Sequence, residues 1–246
     1  MKQLVGYITA GVVEETLTID LLSAMYEAGV DTIELGIPFS DPVADGPVIQ
    51  AAGQRALEQG FRYAHAVRIA QALPKERDML WMGYFNPFYQ RGMAHALDEA
   101  NAAGVSGFII PDLPYEETLA YRPMFEERGM ALIDFVAPTD PAERISRIVS
   151  KSGKFIYLVA YAGITGSAQS EELGPTIEAI KTATDTPVFV GFGVNEQTAK
   201  ERVKGADGVI VGSAFVKTLI DDTLTGSEKI AKIVGSAKNI KDQINA

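Results

Sequence analysis

The stretch IELGIPFSDPVADGP, residues Ile33–Pro47, begins as an apolar strand and continues into a loop with prolines, and it contains three acids. Glu34 lies inside the apolar part, where an ionised carboxylate is energetically costly. Asp41 and Asp45 follow in the loop. Long loops of compact domains tend to be functional, so this stretch is a candidate site as well as a strand.

Eight apolar runs recur along the chain, and most of them are apolar on both faces rather than alternating. The runs are LVGYIT from Leu4, TIELG from Thr32, MLWMGY from Met79, GFIIP from Gly107, ALIDFVA from Ala131, KFIYLVA from Lys154, PVFVGF from Pro187 and GVIVG from Gly208. Such runs are typical of parallel strands, whose two faces are both covered. Helical patterns lie between them, as in EETLTIDLLSAMYEAGVD, where Leu17, Leu21 and Met25 share one face.

Strand and helix alternate eight times, which predicts an α/β fold of the (β/α)₈ or TIM-barrel type. The 246 residues are typical of one such barrel, so we expect a single domain over residues 1–246. A doubly wound open sheet is the alternative, but its GxGxxG fingerprint is missing after the first strand. About 40 residues separate the second strand from the third, and DGPVIQAAGQRALEQG in this gap predicts an additional helix.

Composition excludes several classes of function. The net charge of −10 argues against nucleic acid and anionic membranes as partners. The chain has no cysteine, which excludes disulfides and thiol chemistry and fits the cytoplasm. Both histidines, His65 and His95, fall in helical patterns, and no ligand cluster has metal-like spacing. The start MKQLVGYITAGVVEE is interpreted as a first strand rather than a signal peptide, and no apolar run approaches the roughly 20 residues of a membrane span.

Three glycine-bearing loops follow the last three predicted strands. They are YAGITGSA with Thr165 and Gly166, GFGV at 191–194, and VGSAFV with Ser213. Barrels often bind phosphate with such loops, because glycines let backbone N–H groups approach an anion closely. The sequence therefore predicts a phosphate site, although the glycines could also serve only as tight turns.

Two acids in different environments suggest proton transfer. We expect Glu34 to point into the barrel, where apolar surroundings favour its neutral form and make it a proton donor and acceptor. Asp45, in a loop, is expected to be more solvated and ionised. The alternatives are a structural Glu34 bonded to a neighbouring strand and an Asp45 that caps the next helix. Asp112 follows the fourth strand, and we expect it either to brace a turn or to join the site. Asp134 is expected in the fifth strand, as a further acid of the barrel.

Together these residues carry a resemblance. The segments ELGIPFSDPVADGP, AGVSGFIIPDLPYEE, YAGITG, GFGV and GVIVGSAFV occur in the order found in tryptophan synthase alpha chains, across nearly the whole sequence. The chain thus resembles that family. The resemblance implies a barrel enzyme, a carbon–carbon lyase that cleaves indole-3-glycerol phosphate to indole and glyceraldehyde 3-phosphate in tryptophan biosynthesis.

The resemblance also implies roles for individual residues. Glu34 would be the acid and base of the cleavage, and Asp45 would stabilise positive charge at the indole nitrogen. The substrate-binding positions implied by the matching motifs are Tyr7, Tyr157, Thr165, Gly166, Phe192, Gly193, Gly212 and Ser213. No metal or cofactor is implied in this chain.

A partner is implied as well. Members of the family pass indole to a beta chain that carries pyridoxal phosphate, in an alpha2–beta2 heterotetramer, and Asp41 and the FNPF segment match regions facing that chain. The sequence starts almost at its first strand, so the family's usual N-terminal helix is expected to be missing. Two other interpretations stay open: a different phosphate-binding barrel, such as a sugar-phosphate isomerase, and a subunit that mainly activates its partner.

Overall fold

The computed structural model describes residues 1–160 and 173–246, where it contains nine strands and eleven helices. The strands are β1 (Gln3–Thr9), β2 (Thr32–Gly36), β3 (Asp78–Met82), β4 (Gly107–Ile109), β5 (Ala131–Leu132), β6 (Asp134–Val136), β7 (Ile156–Val159), β8 (Val188–Gly191) and β9 (Gly208–Val211). The helices are α1 (Glu15–Glu27), α2 (Pro47–Glu58), α3 (Tyr63–Gln71), α4 (Phe85–Arg91), α5 (Met93–Ala102), α6 (Tyr115–Glu126), α7 (Ala142–Val149), α8 (Gly174–Ala183), α9 (Ala199–Arg202), α10 (Ser213–Leu219) and α11 (Gly226–Ile244).

All strand pairs are parallel and belong to one sheet with the order β5-β4-β3-β2-β1-β9-β8-β7-β6. The two edge strands, β5 and β6, are consecutive in the chain and separated only by Ile133. The Ile133 N–H donates to the Phe108 carbonyl at 3.0 Å, so pairing with β4 continues through this break. The sheet therefore closes into the predicted (β/α)₈ barrel, with its fifth strand divided in two. That residues 1–246 form a single domain stays a prediction.

The long connection between β2 and β3 contains two helices. The predicted extra helix is α2, which begins at Pro47, where the missing N–H of proline costs no helical hydrogen bond. The main barrel helix of this unit, α3, follows it and packs against α1. The added helix and the loop before it, residues 37–46, thus lie above the carboxyl end of β2.

Inward-facing positions of neighbouring strands are aligned by the sheet register. Tyr7 of β1 pairs with Glu34 of β2, and Thr9 pairs with Gly36. A Cβ atom on Gly36 would overlap the Tyr7 hydroxyl, and one on Gly191 would overlap the Tyr157 ring. Glycines at the tops of β2 and β8 therefore make room for two tyrosine rings inside the upper barrel.

A hydrogen-bonded group lies at the opposite end of the barrel. It is here called the floor network and consists of Thr32, Asp78, Ser106 and Lys154. The Asp78 carboxylate accepts from the Thr32 hydroxyl at 2.6 Å, the Ser106 hydroxyl at 2.6 Å and the Lys154 ammonium at 2.7 Å. This network joins the amino ends of four strands, β2, β3, β4 and β7, through paired, partly buried polar groups.

Asp134 lies in the fifth strand, as expected, but its side chain faces α6 and does not point into the barrel. Its carboxylate accepts from Arg122 Nη2 of α6 at 2.6 Å and from the Ser152 hydroxyl at 2.5 Å. The side chains of Asp134 and Arg122 are 1% and 9% exposed, so the ion pair is buried. Asp134 pairs with Ile156, which packs against the helices, so Asp134 faces the helix layer and lies away from the candidate site.

Candidate active site

A cavity of about 390 Å³ opens at the carboxyl ends of the barrel strands. Its walls include Tyr7 from β1, Glu34 from β2 and Tyr157 from β7, together with Asp45 from the loop after β2. Barrel enzymes place their reactive groups at this end, because loops following the strands converge there. The opening stretch of the sequence therefore supplies two carboxyl groups to one cavity.

Glu34 is fully buried on the rigid backbone of β2, and its Oε2 atom has no hydrogen-bond partner among the described residues. The alternative of a carboxylate bonded to a neighbouring strand is therefore not supported for this oxygen. Burial, with a smaller contribution from the charge of Asp45, raises the pKa of Glu34 to about 8. Near neutral pH the group can both give and take a proton.

Asp45 lies in a different environment from the one expected. It is half-buried, and burial raises the pKa of its carboxyl to about 6, an effect that a hydrogen bond from Tyr84 partly offsets. The N-cap position of α2 is Gly46, with no side-chain cap, so the helix-capping alternative is wrong. The Asp45 backbone makes local hydrogen bonds instead: its N–H donates to the Pro42 carbonyl at 3.1 Å, and its carbonyl accepts from the Gln50 side chain at 2.8 Å.

Two tyrosines line the cavity beside the acids. Burial and the neighbouring carboxyl groups hold the pKa values of Tyr7 and Tyr157 well above the usual tyrosine range, so both hydroxyls stay protonated. The Thr9 hydroxyl donates to the Tyr7 oxygen at 3.3 Å. The Phe192 ring lies edge-on to Tyr157, with 6.1 Å between ring centroids. These rings give the cavity an apolar slot with protonated hydroxyl groups on its wall.

The far wall of the cavity is made of short turns after β8 and β9. Phe192 and Gly193 both have positive φ angles, 70° and 69°. A phenylalanine in this region is uncommon, and such strain tends to occur at functional sites. Gly212 and Ser213 follow β9, and Ser213 is the first residue of α10, where backbone N–H groups have no helical partner. This wall is therefore suited to an anion.

Among the described residues, no three His, Asp or Glu side chains are grouped so that they could hold a metal ion. No helix of the described ranges is long and apolar enough to cross a membrane. The cavity can transfer protons between two carboxyl groups and a bound molecule that has an apolar part and an anionic end.

Comparison with known proteins matches this geometry. The model of the family described as tryptophan synthase alpha chain matches residues 1–245. A tryptophan synthase alpha chain from Wolinella succinogenes is 49% identical over 247 aligned positions, covering 100% of this chain and 97% of the relative. The chain belongs to the tryptophan synthase alpha chain family. A more distant tryptophan synthase alpha chain, from Methanosarcina acetivorans, is 42% identical, and the alignment covers 96% of this chain and 87% of the relative.

Solved structures agree with the tryptophan synthase alpha chain assignment. A chain from Mycobacterium tuberculosis tryptophan synthase superposes with a TM-score of 0.89 at 31% identity, covering 100% of this chain and 93% of that one. A chain from the tryptophan synthase α2β2 complex of Pyrococcus furiosus superposes with a TM-score of 0.84 at 32% identity, covering 98% of this chain and 100% of that one. Both similarities confirm the barrel.

Eight of the ten residues predicted for a tryptophan synthase alpha chain site lie on the cavity wall. These are Tyr7, Glu34, Asp45, Tyr157, Phe192, Gly193, Gly212 and Ser213. Thr165 and Gly166 lie outside the described residues. Sequence reasoning missed Ile49 and Met82 on the wall and Tyr84 behind it. Met82, at the end of β3, could have been found from its inward position opposite Gly36, two residues beyond Glu34.

Proposed function

We propose that this chain cleaves indole-3-glycerol phosphate into indole and glyceraldehyde 3-phosphate and delivers the indole to a beta chain for tryptophan synthesis. The observation that carries the proposal is the pairing of Glu34 and Asp45 in one cavity that also has an apolar slot and a glycine-rich wall. Membership of the tryptophan synthase alpha chain family supports the reaction class.

The reaction is a retro-aldol cleavage that needs a proton at one carbon and the loss of one from a hydroxyl. Glu34 donates its proton to C3 of the indole ring, which leaves positive charge spread to the ring nitrogen. Ionised Asp45 stabilises that charge by accepting the hydrogen bond of the ring N–H. The bond between C3 and the glycerol carbon then breaks toward the protonated ring, and Glu34 takes the hydroxyl proton as the aldehyde forms.

Binding is assigned to the remaining walls. The indole ring lies in the slot formed by Tyr7, Phe192 and neighbouring apolar side chains, with Tyr157 beside the reacting carbons. The phosphate lies against Gly193, Gly212 and Ser213. The family resemblance implies Gly166 as a further phosphate-binding position and Thr165 as a threonine that assists Asp45, and both lie outside the described residues. Few cationic side chains occur in these loops, so backbone N–H groups and the Ser213 hydroxyl hold the anion.

The cleavage requires no cofactor in this chain, because the protonated indole ring itself accepts the electron pair. Pyridoxal phosphate belongs to the beta chain, which joins indole to serine. The solved α2β2 complex of a relative supports an alpha2–beta2 assembly here. Val43, beside Asp45, is 81% exposed, which fits a partner on this face. As an enzyme of small-molecule biosynthesis it is expected in the cytoplasm.

The purified chain is expected to release indole from indole-3-glycerol phosphate, and addition of a beta chain is expected to raise the rate by roughly tenfold or more, because contacts near Val43 order the loop that carries Asp45. Indole release is measured in a coupled assay with and without saturating partner. No release under either condition would favour a different phosphate-binding barrel. An unchanged rate with saturating partner would refute the ordering of Asp45.

The pH profile of kcat/KM is expected to be bell-shaped, with limbs near pH 6 and pH 8. Activity requires Asp45 ionised, which is lost as pH falls through about 6, and Glu34 protonated, which is lost as pH rises through about 8. The measurement is kcat/KM between pH 5 and 9.5. In the control variant Asp45→Asn, the alkaline limb is expected at lower pH, because the Asp45 charge no longer raises the pKa of Glu34. A rate that keeps rising above pH 8 would contradict the acid role of Glu34.

A further inference from the structure

Tyr84, in the turn between β3 and α4, lies behind the wall of the cavity. It is 2% exposed, and its ring stacks on Phe39, with 5.4 Å between centroids and 30° between planes. Burial restricts the ring, and Phe39 belongs to the loop after β2, so the stacking joins Tyr84 to the same loop that its hydroxyl contacts. Neither the sequence motifs nor the proposed chemistry accounts for this hydroxyl.

The Tyr84 hydroxyl contacts two adjacent residues of the loop after β2. It accepts from the Ala44 N–H at 3.1 Å, and it faces the carboxyl group of Asp45, whose pKa this interaction lowers. The hydroxyl thus holds the backbone before Asp45 and lies beside its side chain. The two contacts restrict the loop at the residue whose carboxylate the cleavage uses.

Tyr84 is itself held by the next loop of the barrel. Asp112, in the loop after β4, accepts from the N–H of Phe85 through its Oδ1 atom at 2.8 Å. Phe85 is the residue after Tyr84 and the first residue of α4. The loops after β2, β3 and β4 are therefore joined in sequence, from Asp112 through Tyr84 to Asp45. This also gives Asp112 the bracing role that the sequence left as an alternative.

We propose that Tyr84 is a positioning residue for Asp45, which holds the loop after β2 so that the Asp45 carboxyl group lies in the cavity. The proposal rests on the proposed function for its consequence in catalysis, but its structural content is independent of the substrate. Without the hydroxyl, Ala44 loses its acceptor and Asp45 loses its hydrogen-bond donor. Both losses act on the same carboxylate, one through its position and one through its charge.

The titratable groups that face Asp45 within the described ranges come from four elements. They are Tyr7 of β1, Glu34 of β2, Tyr84 before α4 and Tyr157 of β7. None of these is a cation, so a donated hydrogen bond is what favours the ionised form of Asp45. Removal of the Tyr84 hydroxyl is therefore expected to move the Asp45 titration to higher pH.

The test compares Tyr84→Phe with the control variant Tyr63→Phe. Tyr63 is half-buried, and its hydroxyl donates to the Ala96 carbonyl at 3.1 Å, so the control also loses one hydroxyl with a hydrogen-bond partner. The Asp45 carboxyl is titrated by carbon-13 NMR, with Asp45→Asn used to assign its signal. In Tyr84→Phe the Asp45 midpoint is expected to rise by about one pH unit, whereas Tyr63→Phe leaves it unchanged. An unchanged midpoint in Tyr84→Phe, with a native circular dichroism spectrum, overturns the proposal.

Kinetics provide a second readout. For indole-3-glycerol phosphate, kcat of Tyr84→Phe is expected to fall roughly tenfold at pH 6 and less at pH 8, with KM within about twofold. A wild-type kcat at both pH values would contradict the positioning role. If the unmodified chain cleaves no substrate, the proposed function fails, while the NMR titration still decides the role of Tyr84.

Discussion

Replacement of Glu34 with glutamine is expected to lower kcat for indole-3-glycerol phosphate cleavage by about 10³-fold. Glutamine has nearly the same shape as the protonated carboxyl group, so the apolar slot and the phosphate wall are retained. It cannot give a proton to C3 of the ring or accept one from the glycerol hydroxyl. The measurement is indole release under single-turnover conditions with the beta chain present, so that slow chemistry is separated from product release.

Stability measurements show whether the loss comes from chemistry or from misfolding. The folded chain keeps the Glu34 proton up to about pH 8, whereas the unfolded chain releases it near 4.5. The stabilising contribution of this group is therefore complete below pH 4.5 and lost as pH rises through 8. Glutamine does not titrate, so Glu34→Gln is expected to be at least as stable as the unmodified chain at pH 8.5. A variant that keeps more than about a tenth of the normal kcat would refute the role of Glu34.

Replacement of Arg122 with methionine is expected to lower the free energy of unfolding by about 3–5 kcal/mol. Methionine preserves much of the side-chain volume but leaves the buried Asp134 carboxylate with only the Ser152 hydroxyl as a partner. An uncompensated buried charge is the main cost. The measurement is urea unfolding at neutral pH followed by circular dichroism.

The control for Arg122 is another arginine in an ion pair, Arg128, which contacts Asp98 at 2.7 Å. These side chains are 20% and 61% exposed, so Arg128→Met is expected to cost less than about 1 kcal/mol. Adding Asp134→Asn to Arg122→Met is expected to recover part of the lost stability, since no buried charge then remains. Equal losses in the free energy of unfolding for the two arginine variants would show that the buried ion pair contributes no more to stability than the exposed one.

The barrel was predictable from sequence because its strands are apolar on both faces and recur between amphipathic helices. The fifth strand shows what this pattern leaves out. ALIDFVA predicts one strand with an acid of the barrel, but Asp134 faces Arg122 on α6. The next residue, Phe135, pairs with Tyr157 of the cavity wall, so regular alternation alone turns Asp134 outward. A run that is apolar on both faces gives no sign of which face its one polar residue occupies.

The site was predictable to a different degree for each acid. Glu34 could be placed because a strand inside a barrel leaves one orientation for an acid between apolar neighbours. The burial of Asp45 could not be predicted, since it depends on how its loop packs in three dimensions, with Tyr84 reaching across from the next loop. Such contacts join segments about 40 residues apart, and no local pattern in the chain reports them.

The floor network also bears on how small molecules reach the cavity. Thr32, Asp78, Ser106 and Lys154 join the lower ends of four strands, and the stacked rings of Phe155 and Phe189, with centroids 4.5 Å apart, lie at the same end. We therefore expect substrate entry and product exit to use the same mouth, at the carboxyl ends of the strands and on the side where Val43 is exposed. A partner seated over that mouth would receive the product before it reaches solvent.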